Sequence, residues 1–453
     1  MKTSQSRRKF IAATVSGAVA SVVAPEVFAA APAEQGVVKP TILPKEVFGA
    51  NDRVRVAVLG VNGRGNSHVN SVMKLNDAEV VALSDPDMNV LTKRAKEFEQ
   101  TYKKKVLVEQ DFRKIYENKN IDAVTIASPN HWHGLQAIWA CQAGKDVYVE
   151  KPGTHNIREG RKLIEAAYKY NRIVQHGVQL RSFVRDAVEQ LHNGLIGRVY
   201  MARGIVFRWR PDIGNKGISK VPAGLDYDLW CGPAPMAPFT ENLVHYNWHW
   251  HWNYGNGDVG NQGIHQTDLC LWGLNVGLPE QITSMGGKFL WDDCKEVPEI
   301  QTSIYNYPKE RKIIQFEVRN WCTNREDDVD VANIFYGDKG YMVISGDGYY
   351  QTYLGQKREK GPGREKVDND RADGVEHFKN WVAAIKARDM SIQYGPVETV
   401  HLSSSLAHLG NISYRLGRQL NFDPVAERFI GDEDANFMLT RQYRAPYLLP
   451  EQV

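Results

Sequence analysis

Lys151 closes the run Val147-Tyr148-Val149-Glu150-Lys151-Pro152. Pro152 fixes its own φ and pushes the residue before it out of the helical region. The lysine is therefore held rigidly at the carboxyl end of an apolar strand. Partial desolvation there lowers an ammonium pKa, which suits a group that binds a hydroxyl and helps move its proton. A surface lysine paired with Glu150 is the structural alternative. His265 is the second candidate, in Gly257-Asp258-Val259-Gly260-Asn261-Gln262-Gly263-Ile264-His265-Gln266-Thr267-Asp268. If this stretch is helical, Asn261 and His265 share one face at i, i+4. His265 can then act as general base for a hydroxyl and as acid in reverse; a purely structural histidine is the competing reading.

Beside it lies His245-Tyr246-Asn247-Trp248-His249-Trp250-His251-Trp252. Its histidines alternate without a partnering acid, which is not a metal-ligand spacing, and no metal is expected. Aromatic faces with polar edges suit stacking on a sugar ring, with Trp250 as the expected contact. A tryptophan-rich core or subunit interface competes with that reading. Phe207-Arg208-Trp209-Arg210-Pro211 offers Arg210 to the same cleft, unless it is a solvated arginine pair.

Such groups need a scaffold, and the glycines show which one. Val54-Arg55-Val56-Ala57-Val58-Leu59 is a short, β-branched run that reads as a buried strand. Gly60-Val61-Asn62-Gly63-Arg64-Gly65 follows, where the chain must turn sharply and let a pyrophosphate approach the backbone. Asn62 stands at the middle position usually held by glycine, with Gly63 just after it. The next helix offers free N–H groups and a positive dipole end. About 20 residues on, Val80-Val81-Ala82-Leu83-Ser84-Asp85 ends in a carboxylate that can accept from a ribose 2′-OH and would repel a 2′-phosphate. NAD is therefore the expected cofactor, with NADP as the alternative. Ser128, Pro129, Asn130 and His133, at the end of the fourth strand, face the same edge; Asn130 and His133 either bond the ribose or cap the next helix. Glu150, Lys151 and Gln179 complete the expected cofactor wall.

From 53 to 178, strand signals (near 54–59, 79–84, 105–108, 121–127, 146–150 and 173–177) alternate with helix signals (near 64–75, 87–99, 111–117, 134–143 and 157–170). This alternation means right-handed βαβ units and a doubly wound parallel sheet. Beyond 179 come a helix near 183–193, alternating strands such as 199–206, 312–318, 331–336 and 340–345, and helices near 373–387 and 397–418. That is an α+β domain on a large antiparallel sheet. The charged, Gly-rich stretch 355–370 reads as a loop and the end of the chain as an irregular tail. The organisation expected is a leader at 1–29, an extended arm at 30–51, a Rossmann domain at 52–178 and a substrate-binding and oligomerisation domain at 179–453.

The leader reading rests on Ser6-Arg7-Arg8-Lys9-Phe10-Ile11, a mildly apolar core to Val23 and the small-residue exit Val27-Phe28-Ala29. It predicts export by the twin-arginine route to the periplasm. The apolar core is too short to span a membrane. Away from a free NAD pool, the cofactor must be held tightly enough to be recycled in place. Residues 1–29 carry the whole +3 net charge of the chain, so the remainder is near neutral and lacks the basic stripe that nucleic acid needs. Five cysteines without C-x-x-C spacing argue against a zinc knuckle or a disulfide framework.

The glycine turn at 60–65, Ser128-Pro129-Asn130, Glu150-Lys151-Pro152 and Gly263-Ile264-His265 with Asp268 together resemble the Gfo/Idh/MocA oxidoreductases, across nearly all of the chain after the leader. The resemblance implies an N-terminal Rossmann domain and a C-terminal domain with a large, open, mostly antiparallel sheet that often supports dimers or tetramers. It implies that Lys151 is the catalytic lysine, before a cis proline, and His265 the acid/base. The family usually places an aspartate four residues before that histidine. Here the residue is Asn261, which cannot take up a proton but can still bond a hydroxyl. The implied activity is oxidation of a sugar or glycoside hydroxyl with hydride passing to NAD. The alternatives are an NAD-dependent glycosidase working by transient oxidation and elimination, and a non-catalytic NAD- or sugar-binding protein.

Overall fold

The computed structural model describes residues 52–321, 324–365 and 374–453. The leader and the arm lie outside the described residues. Strands β1 (Val54–Leu59), β2 (Ala78–Ser84), β3 (Leu107–Glu109), β4 (Ala123–Ile126), β5 (Asp146–Glu150) and β6 (Val174–Gly177) form a sheet ordered β3-β2-β1-β4-β5-β6. All its pairs are parallel. A parallel sheet is covered on both faces, so its strands are apolar throughout rather than alternating; β4 and β5 are buried at every residue. Helices Asn130–Gln142 and Ile157–Lys169 cover one face through Leu135, Ile138, Leu163 and Ala166. Helices Arg64–Met73 and Val375–Ala387 cover the other through Val69, Val72, Phe378, Trp381 and Ile385. The last of these arrives from far along the chain, so the first core is not completed within 52–178.

The second sheet is ordered β14-β13-β12-β11-β7-β10-β9-β8-β15-β16. Its strands are β7 (Val199–Phe207), β8 (Gln281–Gly287), β9 (Ile300–Tyr307), β10 (Lys312–Arg319), β11 (Val331–Gly337), β12 (Gly340–Ser345), β13 (Tyr350–Leu354), β14 (Glu359–Arg364), β15 (Leu420–Asp423) and β16 (Arg428–Phe429). Its pairs are antiparallel except β7 with β10. Strict alternation along β9 marks one packed face and one more open face. Helices Gly263–Leu274 and Val397–Leu416 lie on the packed face, where Ile264, Leu271, Leu406 and Leu409 meet Ala202, Val206, Ile314 and Phe316. This packing sets the direction in which His265 points.

Two expectations need correction. The stretch 355–370 is not simply a loop, because Glu359–Arg364 forms β14 against β13. Pro362 interrupts no central ladder there, since β14 is an edge strand. The end of the chain is also more ordered than expected: β15 extends the large sheet through Leu420 and Asn421, and a short helix spans Glu433–Phe437. Among the described residues no helix is long and apolar enough to cross a membrane.

Candidate active site

The carboxyl ends of β1, β2, β4 and β5 open onto a cavity of about 1210 Å³, closed from the other side by residues of the second domain. Gly60, Asn62, Gly63, Arg64, Asp85, Ser128, Pro129, Asn130, His133, Glu150, Lys151, Gln179, Asn261 and His265 all line it. The sequence-predicted cofactor wall and proton-handling groups therefore converge from both domains.

The glycine turn divides its labour. Gly60 has φ +77°, and a Cβ there would lie 2.6 Å from the Ser128 nitrogen. A Cβ on Gly65 would lie 1.8 Å from the Gly60 carbonyl oxygen. Gly65 is therefore a packing residue behind the turn and does not line the cavity, contrary to its expected cofactor contact. Gly63 is the open position, where a Cβ would meet nothing within 4 Å. It precedes helix Arg64–Met73, which has no side-chain cap and no acid in its first turn. The free N–H groups there suit an anion.

Asp85 stands just past β2, with Oδ2 accepting from the Val61 N–H at 2.9 Å and Oδ1 from the Asp87 N–H at 3.1 Å. Burial pushes its pKa up to about 6, against the pull of those two N–H groups. Asn130 is the first residue of helix Asn130–Gln142, and its buried Oδ1 has no hydrogen-bond partner among the described residues. An open glycine turn, a distal carboxylate and an unpaired acceptor between them fit a dinucleotide with ribose hydroxyls.

Several expected ligands are used by the protein instead. Glu150 Oε1 accepts from Arg64 Nε at 2.8 Å and Gln179 Nε2 at 2.9 Å, and it faces His68 Nε2 at 3.1 Å. Burial alone would raise the Glu150 pKa, but Arg64 and His68 hold it well below the usual range. The glutamate is thus a hub that fixes Arg64, Gln179 and the Lys151 backbone rather than a free ligand. His133 corrects another expectation: its ring nitrogens face the carbonyl oxygens of Pro152 at 2.7 Å and Ser128 at 2.6 Å, which leaves neither for a ribose. It ties the loop after β4 to the loop after β5.

Lys151 precedes Pro152 through a cis peptide bond. Its Nζ donates to the Asn261 carbonyl oxygen at 2.7 Å and to Asn261 Oδ1 at 3.3 Å. Burial lowers its pKa to about 8, with Glu150 opposing. Asn261 ends helix Gly257–Asn261 and His265 lies in helix Gly263–Leu274, joined at Gln262 in helical conformation. Burial, then the Lys151 charge, holds the His265 pKa near 3.

Arg210 and Trp250 do not line the cavity. Arg210 forks onto Asp258 with two 2.7 Å bonds and lies 5.5 Å over the Trp250 ring. Trp250 itself is only 2 % exposed. Segment Asn247–Trp250 is a 3-10 turn, which rotates Trp250 inward and leaves Tyr246, Trp248 and His249 on the cleft. Arg208, not Arg210, reaches the cavity from β7. The aromatic run is the available signal for His249, but residue type alone does not say which member of a 3-10 turn faces the cleft. Arg208, Gln262 and Tyr349 carried no sequence signal that set them apart from neighbours.

A family model described as an oxidoreductase family, NAD-binding Rossmann fold, matches residues 54–178, and the matching C-terminal alpha/beta domain model covers 183–278 and 351–449. An inositol 2-dehydrogenase/D-chiro-inositol 3-dehydrogenase of Shouchella clausii is 31% identical over 34% of this chain and 44% of its own length. A glycosyl hydrolase family 109 protein of Saccharopolyspora erythraea is 27% identical over 35% of this chain and 36% of its own. The chain thus spans less than half the length of these curated relatives. The WlbA dehydrogenase of Bordetella pertussis, solved with NADH and UDP-GlcNAcA, shares the fold with a TM-score of 0.62 at 17% identity, over 82% of this chain and 99% of that one.

Proposed function

The chain belongs to the Gfo/Idh/MocA oxidoreductase family, and from that premise we propose that it moves a hydride between a sugar or glycoside hydroxyl carbon and a tightly held NAD. The observation that carries this reading is the meeting of Lys151 and His265, delivered by different domains, on the wall of one cavity that also holds the glycine turn and Asp85. When bound, the nicotinamide supplies the hydride acceptor. The protein supplies the rest. Lys151, two of whose ammonium protons are directed at Asn261, has one left to donate to the substrate oxygen and stabilise it as it loses its proton. His265 stands ready to bind or exchange a hydroxyl proton. Tyr246, an exposed aromatic on the same wall, is available to a sugar ring. Export by the twin-arginine route, assembly into a dimer or tetramer and retention of the cofactor belong to the same proposal.

The test is turnover of a panel of glycosides by the purified protein, read as ketone and reduced nicotinamide. Lys151→Ala is expected to lower kcat/KM by about 100-fold or more. Free aglycone with no net change in nicotinamide would instead favour the redox-neutral glycosidase, a reading that the family 109 relative keeps in view. Unchanged turnover in both Lys151→Ala and His265→Ala would overturn these residue assignments, and no turnover of any glycoside by the parent would leave only a binding protein.

A further inference from the structure

Four imidazoles line the cavity: His133, His245, His249 and His265. The His133 nitrogens face two carbonyl oxygens and His245 Nε2 faces Asp87 Oδ2 at 3.1 Å, which leaves His265 and His249 as the candidates for proton transfer. They are held differently. His265 Nδ1 is buried and has no hydrogen-bond partner among the described residues, so no bond fixes which ring nitrogen carries its proton. His249 Nδ1 faces the Tyr246 carbonyl oxygen at 2.5 Å, and only an N–H satisfies an acceptor at that distance. The ring lies flat on Trp248, with centroids 3.6 Å apart and planes 20° from parallel, and Tyr246 packs at 4.7 Å. Stacking and the carbonyl together fix the tautomer, with the proton on Nδ1 and the lone pair on Nε2. That second nitrogen makes no hydrogen bond among the described residues, and it is the polar atom the ring has left to offer the cavity. Desolvation, and after it the positive charges of Lys151 and Arg210, favour the neutral ring. A neutral imidazole whose far nitrogen is pinned to a fixed acceptor is the arrangement a general base needs.

Asn261 sharpens the point. It lies four residues before His265 and lines the same cavity, but an amide cannot take up a proton. Its oxygens hold Lys151 instead.

Resting on the oxidoreductase reading above, we infer that His249 is the acid–base residue for the reacting hydroxyl. Nε2 takes the proton as the O–H bond breaks, while the C–H hydrogen leaves with its electron pair to the nicotinamide acceptor and the carbon becomes a ketone. In reverse the same nitrogen returns the proton. Lys151 donates to that oxygen throughout, and His265 binds a neighbouring hydroxyl.

His249→Phe keeps a flat ring on Trp248 and removes Nε2. It should lower kcat/KM by about 100-fold or more, with NAD content per chain and melting temperature held at the parent values. His249→Gln, which keeps a polar side chain without its basicity, should show the same loss and serves if the phenylalanine variant does not fold. A readout independent of turnover is the nitrogen spectrum of the histidine rings in the unsubstituted protein at pH 7. The signal that disappears in these variants should report Nδ1–H with a bare Nε2. Full activity in a folded variant, or a ring protonated on Nε2, overturns the inference. If the parent makes ketone and only His265→Phe abolishes it, the inference falls while the proposed function stands. If the parent makes no ketone from any glycoside, the functional reading itself falls.

Discussion

Lys151 illustrates how a single side chain can be set by its surroundings. Two of its three ammonium protons are taken by Asn261, and burial brings its pKa down to about 8. The working form can be read from the sign of a pH profile. A cation that must donate to the substrate oxygen is present below that pKa and is lost as the pH rises through it. The expected profile of kcat/KM therefore falls above pH 8. Lys151→Arg stays charged across this range and should abolish that falling limb, at whatever reduced rate its larger head permits. A rate that climbs through pH 8 would show that the neutral amine is the active form. At this scale the sequence was informative where chemistry and backbone restraint coincide, as at Lys151-Pro152. It was uninformative about who bonds whom: Glu150 and His133 have the right types for cofactor ligands, yet their polar atoms are taken by Arg64, Gln179 and two carbonyl oxygens.

The strand–turn–helix at 54–73 depends on two glycines for different reasons from the third. A side chain on Gly65 would strike the Gly60 carbonyl oxygen at 1.8 Å, and a backbone atom cannot swing aside. Gly65→Ala should push the helix off the turn at a cost of about 1–3 kcal/mol. It should lower the melting temperature and empty the cofactor site together. Gly63→Ala points into open space at a negative φ, so its effect should appear in NAD content and not in the melt. Melting curves and bound-nucleotide assays on both variants check this; equal melting temperatures would contradict it. The element was legible because glycine spacing and apolar runs are local signals. β14 was not, because Gly361, Pro362 and Gly363 read as breakers until the partner strand is known. Glycine is required there by the close partner strand, where a Cβ on Gly363 would lie 2.8 Å from the Tyr350 carbonyl oxygen.

Across the whole molecule, the chain leaves the first domain and later returns to finish it. Helix Val375–Ala387 was legible as a helix, but nothing local says which sheet it covers, since its partners lie hundreds of residues earlier. Its end is fastened by Arg388, 1 % exposed, which donates to Asp146 Oδ2 at 2.5 Å and to the Asn171 carbonyl oxygen at 2.9 Å. Asp146 opens β5, the strand that ends in Glu150 and leads directly to Lys151. Burial raises the Asp146 pKa even with Arg388 beside it. Removing the arginine would strand a desolvated carboxyl group, whereas removing both charges leaves no buried charge and costs the bond that Asp146 Oδ1 accepts from the Ile173 N–H at 2.8 Å. Arg388→Met should therefore destabilise the protein by about 3–5 kcal/mol, and Arg388→Met with Asp146→Leu by clearly less. Neither residue lines the cavity, so the loss should appear in thermal unfolding of the NAD-loaded protein and not in KM at temperatures where it stays folded. An Arg388→Met variant that melts with the parent would mean that apolar packing of Phe378, Trp381 and Ile385 holds the returning helix without help from the ion pair.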